Sequence, residues 1–163
     1  MAELWDAYDQ HFQKIDSLIL TRGRPIPEGV YHLVCDIIVK HDDGTYLLMQ
    51  RDPRKHRGGL WELSAGGAAL AGETPQACAH RELMEETGIV SCGLQELERI
   101  VDAKRRCIFV LFLSLTSWEK TAVTLQEGET TAYQWADRST ILAMNEASLA
   151  SVRPLRLLRE GRI

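Results

Sequence analysis

Apolar and polar residues alternate along 30–40: Leu33, Cys35, Ile37 and Val39 fall on one side, and His32, Val34, Asp36 and Ile38 on the other. A period of two predicts a strand from Val30 to Lys40. The turn Asp42-Asp43-Gly44 then leads into a second strand, Thr45 to Gln50, in a hairpin pattern. Cys107 to Leu115 (CIFVLFLSL) is apolar almost throughout, as a central strand should be. Ile15 to Leu20, Leu60 to Ser64, Gly93 to Val101 and Ala132 to Trp135 complete the predicted strands, and Arg22 to Pro27 marks an irregular connection. Apolar spacing in Ser139 to Asn145 and Leu149 to Arg159 suits helices, with Pro154 kinking or starting the second. The best delimited helix is Pro75 to Thr87. Thr74 can cap its first turn, Pro75 fits the first helical position, and Gly88 supplies a left-handed stop. Ala77, Ala79 and Leu83 would face the core. This order of elements predicts an α/β fold with hairpins.

At 163 residues and 45% apolar content the chain can build one core. It shows no repeat, low-complexity tract or linker, so we expect an N-terminal extension, residues 1–28, packed on one domain of residues 29–163. The net charge of −4 argues against a nucleic-acid-binding surface. No run of 18 apolar residues is present, and MAELWDAYDQHF has neither a basic start nor an apolar stretch. Neither a membrane span nor a secretory signal is therefore expected, and a cytoplasmic location follows. Cys35, Cys78, Cys92 and Cys107 are widely separated and form no CxxC, which predicts reduced, mostly buried thiols.

Candidate chemistry is concentrated on the best delimited helix. Glu82, Glu85 and Glu86 stand at i, i+3 and i+4 and gather on one face. Like charges at this spacing cost an isolated helix roughly 0.2–0.5 kcal/mol per pair, so a compensating cation is the economical answer. Hard oxygen ligands suit Mg²⁺ or Mn²⁺ better than zinc, for which no Cys/His set has ligand spacing. A solvated acidic face is the ordinary reading of a Glu-rich helix. Against it stands Gly66-Gly67, which lets backbone approach an anionic ligand ahead of the helix.

The whole stretch, GGAALAGETPQACAHRELMEETGI from Gly66 to Ile89, resembles the Nudix box at every fixed position: Gly67, Glu73, Arg81-Glu82-Leu83, Glu85-Glu86 and Gly88-Ile89. The resemblance implies the Nudix fold, a mixed β-sheet sandwiched between α-helices. It also implies a metal-dependent hydrolase that cleaves a nucleoside diphosphate-X or similar small-molecule diphosphate by water attack at phosphorus. Carried over by position, Glu85 and Glu86 would bind Mg²⁺ or Mn²⁺ together with the backbone carbonyl of Gly66. Glu82 would be a ligand or the base that activates water. Glu73 and Arg81 would pair to hold the loop against the helix. Many Nudix enzymes place a further glutamate after the box; Glu129 is the first candidate for that catalytic role and Glu127 the second. In the basic loop 51–59, Arg51 or Lys55 would hold a terminal phosphate. Lys104-Arg105-Arg106 is either a solvated turn or a phosphate contact. Dimers are common in the family, which leaves a homodimer open.

Two other readings are set against hydrolysis. YHLVCDIIV and QRDPRKHRGGLWELS resemble parts of isopentenyl diphosphate isomerase, and His32 stands where that enzyme has a metal histidine. The isomerase also needs a cysteine and, two residues later, a histidine after the tryptophan; Gly66 and Ala68 occupy those places here. A domain that binds a nucleotide without catalysis commonly loses box residues, and none is missing. Ala65 replaces the proline often found before the box glycines, and no subfamily signature outside the box identifies a substrate.

Overall fold

The computed structural model describes residues 1–163. Its centre is a mixed sheet in which β3 (His32–His41) runs parallel to β8 (Cys107–Thr116), from His32 opposite Cys107 to His41 opposite Thr116. On one side β7 (Leu94–Asp102) pairs antiparallel with β8; on the other lies β4 (Tyr46–Arg51), carrying β5 (Trp61–Glu62) and β9 (Thr130–Ala136). A further strand, β6 (Ala65–Ala68), pairs antiparallel with β3.

Helices cover both faces, which accounts for the lack of polar relief in β8. Ile108, Val110 and Phe112 join Leu33, Cys35, Ile37 and Val39 beneath Cys78, Ala79 and Leu83 of α1 (Pro75–Thr87). Phe109, Leu111 and Leu113 join Ile38 and Leu48 against Ile141 of α2 (Arg138–Ala143) and Leu155, Leu157 and Leu158 of α3 (Arg153–Arg159). Burying each large apolar side chain contributes roughly 1.5–3 kcal/mol, so the two layers hold the sheet rigid between them. α1 has the boundaries expected: the Thr74 hydroxyl accepts from Ala77 N at 3.1 Å, and Gly88 closes the helix at φ 74°.

Several expectations need correction. Ala77 is exposed; its place at the core is taken by Cys78, one residue further round the helix. Gly66-Gly67, left outside the expected strands, is part of β6, held by the ladder that β3 offers rather than by any strand propensity of AGGA. Leu149 to Ala150 is not helical; α3 starts at Arg153, with Pro154 in its first turn. The strand expected over Leu60 to Ser64 narrows to Trp61–Glu62. Cys35, Cys78 and Cys107 are buried and Cys92 is exposed, all as free thiols.

The N-terminus forms a hairpin, β1 (Leu4–Tyr8) with β2 (Lys14–Thr21), of which β1 was not foreseen. It packs Trp5, Ala7 and Leu20 with Ala68 of β6. Two bonds fasten it to the box: Ala71 N donates to the Leu4 carbonyl at 2.8 Å, and Gly72 N donates to the Asp6 carboxylate at 2.9 Å. No helix is long and apolar enough to cross a membrane.

Candidate active site

The glutamate face of α1 opens into a cleft of about 450 Å³. Glu82, Glu85 and Glu86 line it from the helix, Gly66 and Gly67 from β6, and Lys55 and Glu129 from the loops flanking β4 and β9. The hairpin closes the far wall with Glu3, Trp5 and Arg22. Nothing local marks these three hairpin residues as members of the site. β6 reaches the cleft because it lacks side chains: a Cβ on Gly67 would sit 2.5 Å from Glu82 Oε2. The helix can therefore press its carboxylates against the strand.

Arg81 organises the box. Its Nε and Nη2 donate to the two carboxylate oxygens of Glu73 at 2.7 and 2.8 Å, and Nη2 also reaches the Ala68 carbonyl at 3.1 Å. Its Nη1 donates to Glu82 at 2.6 Å and to Glu85 at 3.2 Å. The Arg81 guanidinium holds the Glu73 carboxyl below the usual range. Glu82 is pushed the other way, because its burial outweighs the help from Arg81. Glu129 is paired with Lys55, whose own pKa is lowered by burial. Glu127 is exposed and does not line the cleft.

Glu86 is the most sequestered carboxylate, 3% exposed, and accepts one bond from Gly66 N at 3.0 Å. Burial first, then the neighbouring charge of Glu62, pushes it up to about 8. No three His, Cys, Asp or Glu side chains converge at metal-ligand spacing, since Arg81 draws Glu82 and Glu85 while Gly66 N holds Glu86. The donor set nevertheless fits a hard divalent cation: it is all oxygen, and although Arg81 pairs with Glu82 and Arg51 with Glu62, Glu86 is buried beside both carboxylates with Lys55 as its one opposing charge. Glu82, Glu85, Glu86 and the Gly66 carbonyl are the groups that would hold it.

Arg51 lies outside this cleft, in an adjoining cavity, where it donates to Glu62 at 2.8 Å. Of the two polar residues sharing a face of β3, Asp36 is satisfied by Arg153, whose Nε and Nη2 donate at 3.0 and 2.9 Å. His32, the other, makes no such pair. Its Nδ1 is buried with no partner, and its ring stacks on Trp5 with centroids 4.1 Å apart.

A sheet clasped between helices, with a glycine strand pressed to a glutamate helix, defines a class that comparison with known proteins makes explicit. The NUDIX domain model matches residues 30–155, and the chain belongs to the Nudix family. It is 35% identical over 89 residues to an uncharacterised Nudix hydrolase of Listeria monocytogenes, covering 54% of this chain and 52% of the relative. It is 36% identical over 75 residues to an isopentenyl-diphosphate Delta-isomerase of Photorhabdus laumondii, covering 45% of this chain and 42% of that one. The chain thus spans about half the length, or less, of these curated relatives. The crystal structure of DR0079 from Deinococcus radiodurans superposes with a TM-score of 0.77, covering 97% of this chain and 98% of that one at 17% identity, a likeness of fold.

Proposed function

We propose that this protein is a divalent-metal-dependent hydrolase of a small organic diphosphate, with residues 29–163 as the catalytic domain and 1–28 as an extension that completes the cleft. The observation that carries the reading is Glu86: a carboxylate buried beside Glu62 and Glu82 in an open cleft, with too little positive charge around it. When bound, Mg²⁺ or Mn²⁺ would neutralise phosphate oxygens and acidify a water. The chain's own residues supply the rest. Glu85, Glu86 and the Gly66 carbonyl hold the cation. Glu82, whose proton affinity is raised by burial, or Glu129 takes the proton of the attacking water. Lys55 holds the phosphate that leaves, whereas Arg51, bonded to Glu62 in the adjoining cavity, stands apart from the cleft. Arg81, bonded to Glu73, Glu82 and Glu85 at once, keeps the acidic face from drifting.

Isomerisation of isopentenyl diphosphate finds less support, despite the similarity to such an enzyme. Gly66 and Ala68 bring no thiol or imidazole to the cleft, and no cysteine lines it. Cys35 and Cys78 point their thiols at the carbonyls of Pro75 and Gly67 instead.

The test is turnover of a panel of about twenty diphosphates, isopentenyl diphosphate included, with and without Mg²⁺ or Mn²⁺, for wild type and Glu85→Gln. Replacing one carboxylate that stabilises the transition-state charge should lower kcat by about 10²-fold or more while thermal unfolding is unchanged. Equal rates with and without metal, or an unimpaired Glu85→Gln, would sink the reading. Isomerisation without hydrolysis would replace it.

A further inference from the structure

A second cavity, of about 350 Å³, opens off the glutamate cleft and shares Arg22, Lys55, Gly66 and Gly67 with it. It lies over the β3 face that carries Val34 and Asp36, and α3 walls it with Arg153 and Pro154. Its lining sets Arg22, Arg51, Lys55, Arg57, Arg105 and Arg153 against two carboxylates, Asp36 and Glu62. In a chain of net charge −4 this is a strong local excess of positive charge, and a concave site with low-dielectric walls focuses it on whatever enters.

The cations divide by how firmly they are held. Arg153 is fixed by two bonds to Asp36, with its guanidinium 3.3 Å from the centroid of the Phe109 ring, and Arg51 is fixed by Glu62. Arg57 has no carboxylate partner: its Nη1 donates to the Ala150 carbonyl at 2.6 Å. Arg105 holds Asp102 at 2.7 Å with its side chain 58% exposed, and Arg22 holds the exposed Glu3. Exposed pairs of this kind are weak in water and exchange readily for a better anion. The cavity also lacks something. Its one phenylalanine, tyrosine or tryptophan ring is Phe109, which is buried and covered by Arg153, so a nucleobase has no open aromatic face to stack on.

We propose that this cavity is a subsite for a phosphate monoester at the far end of the substrate, so that the preferred substrate is a small sugar or polyol diphosphate carrying a separate phosphate. Arg57 and Arg105 turn inward to bind that phosphate by charge-assisted bonds, and Arg153 supplies a fixed positive floor. Lys55 and Arg22, shared by both cavities, sit between the two phosphorylated ends. The hydrolase reading is needed only for the diphosphate end.

The experiment has two arms, each run on wild type and on an Arg57→Gln, Arg105→Gln double variant whose folding is checked by thermal unfolding. In the first, Mg²⁺-dependent hydrolysis is compared for a pentose 1-diphosphate with and without a 5-phosphate, and for a nucleoside diphosphate sugar. Loss of two charge-assisted contacts corresponds to at least about tenfold in affinity, so wild type should prefer the 5-phosphate compound by about that factor in kcat/KM, chiefly through KM. In the double variant that preference should shrink to within about threefold. In the second arm, binding of pentose 5-phosphate, which has no diphosphate, is measured by calorimetry without metal. The subsite predicts binding that the double variant weakens at least about fivefold. Absence of turnover with arginine-dependent binding intact would remove the hydrolase reading and leave the subsite standing. Equal kcat/KM with and without the 5-phosphate, a preference for the nucleoside diphosphate sugar, or binding indifferent to both arginines would overturn the subsite.

Discussion

Gly66 and Gly67 are neighbours on one strand, yet adding a methyl group to each should fail in different ways. On Gly67 the new Cβ would stand 2.5 Å from Glu82 Oε2 and closer still to the rest of that carboxylate. The carboxylate ends a flexible side chain, so it can withdraw. Restoring van der Waals contact takes a shift of about 1 Å. The withdrawal disturbs the 2.6 Å bond from Arg81, a bond between charged groups worth roughly 1.5–3 kcal/mol. Alanine in a strand regains about 0.5–1 kcal/mol relative to glycine, because the unfolded chain loses less freedom. Stability should therefore change by no more than about 2 kcal/mol, several degrees in Tm for a chain of this size. Activity is another matter, since a group misplaced by about 1 Å costs on the order of 10²-fold in rate. On Gly66 the Cβ would run into the backbone carbonyl of Cys35 inside the sheet, which cannot withdraw, and overpacking there should cost about 1–3 kcal/mol or more. Gly67→Ala should thus keep its fold and lose kcat, whereas Gly66→Ala should first lose Tm. Steady-state hydrolysis and thermal unfolding of both variants decide the matter. A Gly67→Ala protein with kcat within threefold of wild type would refute the claim that close approach to β6 positions Glu82.

Three further outcomes are expected. His32 is pushed down to about 4 by burial, so between its ordinary value near 6.5 and 4 the unfolded chain binds the extra proton; stability contributed by neutral His32 is present above pH 6.5 and lost as pH falls to 4. His32→Phe, which keeps the stack on Trp5, should flatten denaturant-measured stability across that window, and an unchanged slope would rule the group out. Asp6 is 5% exposed and receives bonds from Gly72 N and Lys14, so Asp6→Ala should cost about 1–3 kcal/mol in urea unfolding by freeing the hairpin from the box; a loss below 0.5 kcal/mol would show that the fastening is dispensable. Mg²⁺ at about a hundred times its Kd should stabilise wild type by roughly 2.7 kcal/mol at about pH 9, above the value of about 8 to which burial pushes Glu86, where that carboxylate is charged and only partly offset by Lys55; Glu86→Gln should be more stable than wild type without metal there and gain less from it. An equal Mg²⁺ shift in both proteins would remove Glu86 from the cation site.

Local chemistry determined much of this protein from its sequence. The cap at Thr74, the proline after it and the stop at Gly88 act within one turn of chain, and α1 ends where those residues say it should. The spacing of Glu82, Glu85 and Glu86 likewise required a shared face whatever surrounds it, and β3 and β8 showed in patterns of period two and of unbroken apolarity. Tertiary structure decided what no local rule contains. It buried Glu86 to 3% exposure against Gly66 N of β6 and left the side chain of its neighbour Glu85, which meets Arg81, 39% exposed. It made a strand of AGGA, since a ladder on β3 outweighs the poor propensity of glycine. It brought Trp5 and Arg22 to the cleft, where the five-residue β1 carries too short a pattern to announce a hairpin. It also joined Asp36 to Arg153, 117 residues apart, and so built a basic cavity in an acidic chain. Contacts across such separations depend on how the layers pack, and that is settled only when all of them are in place.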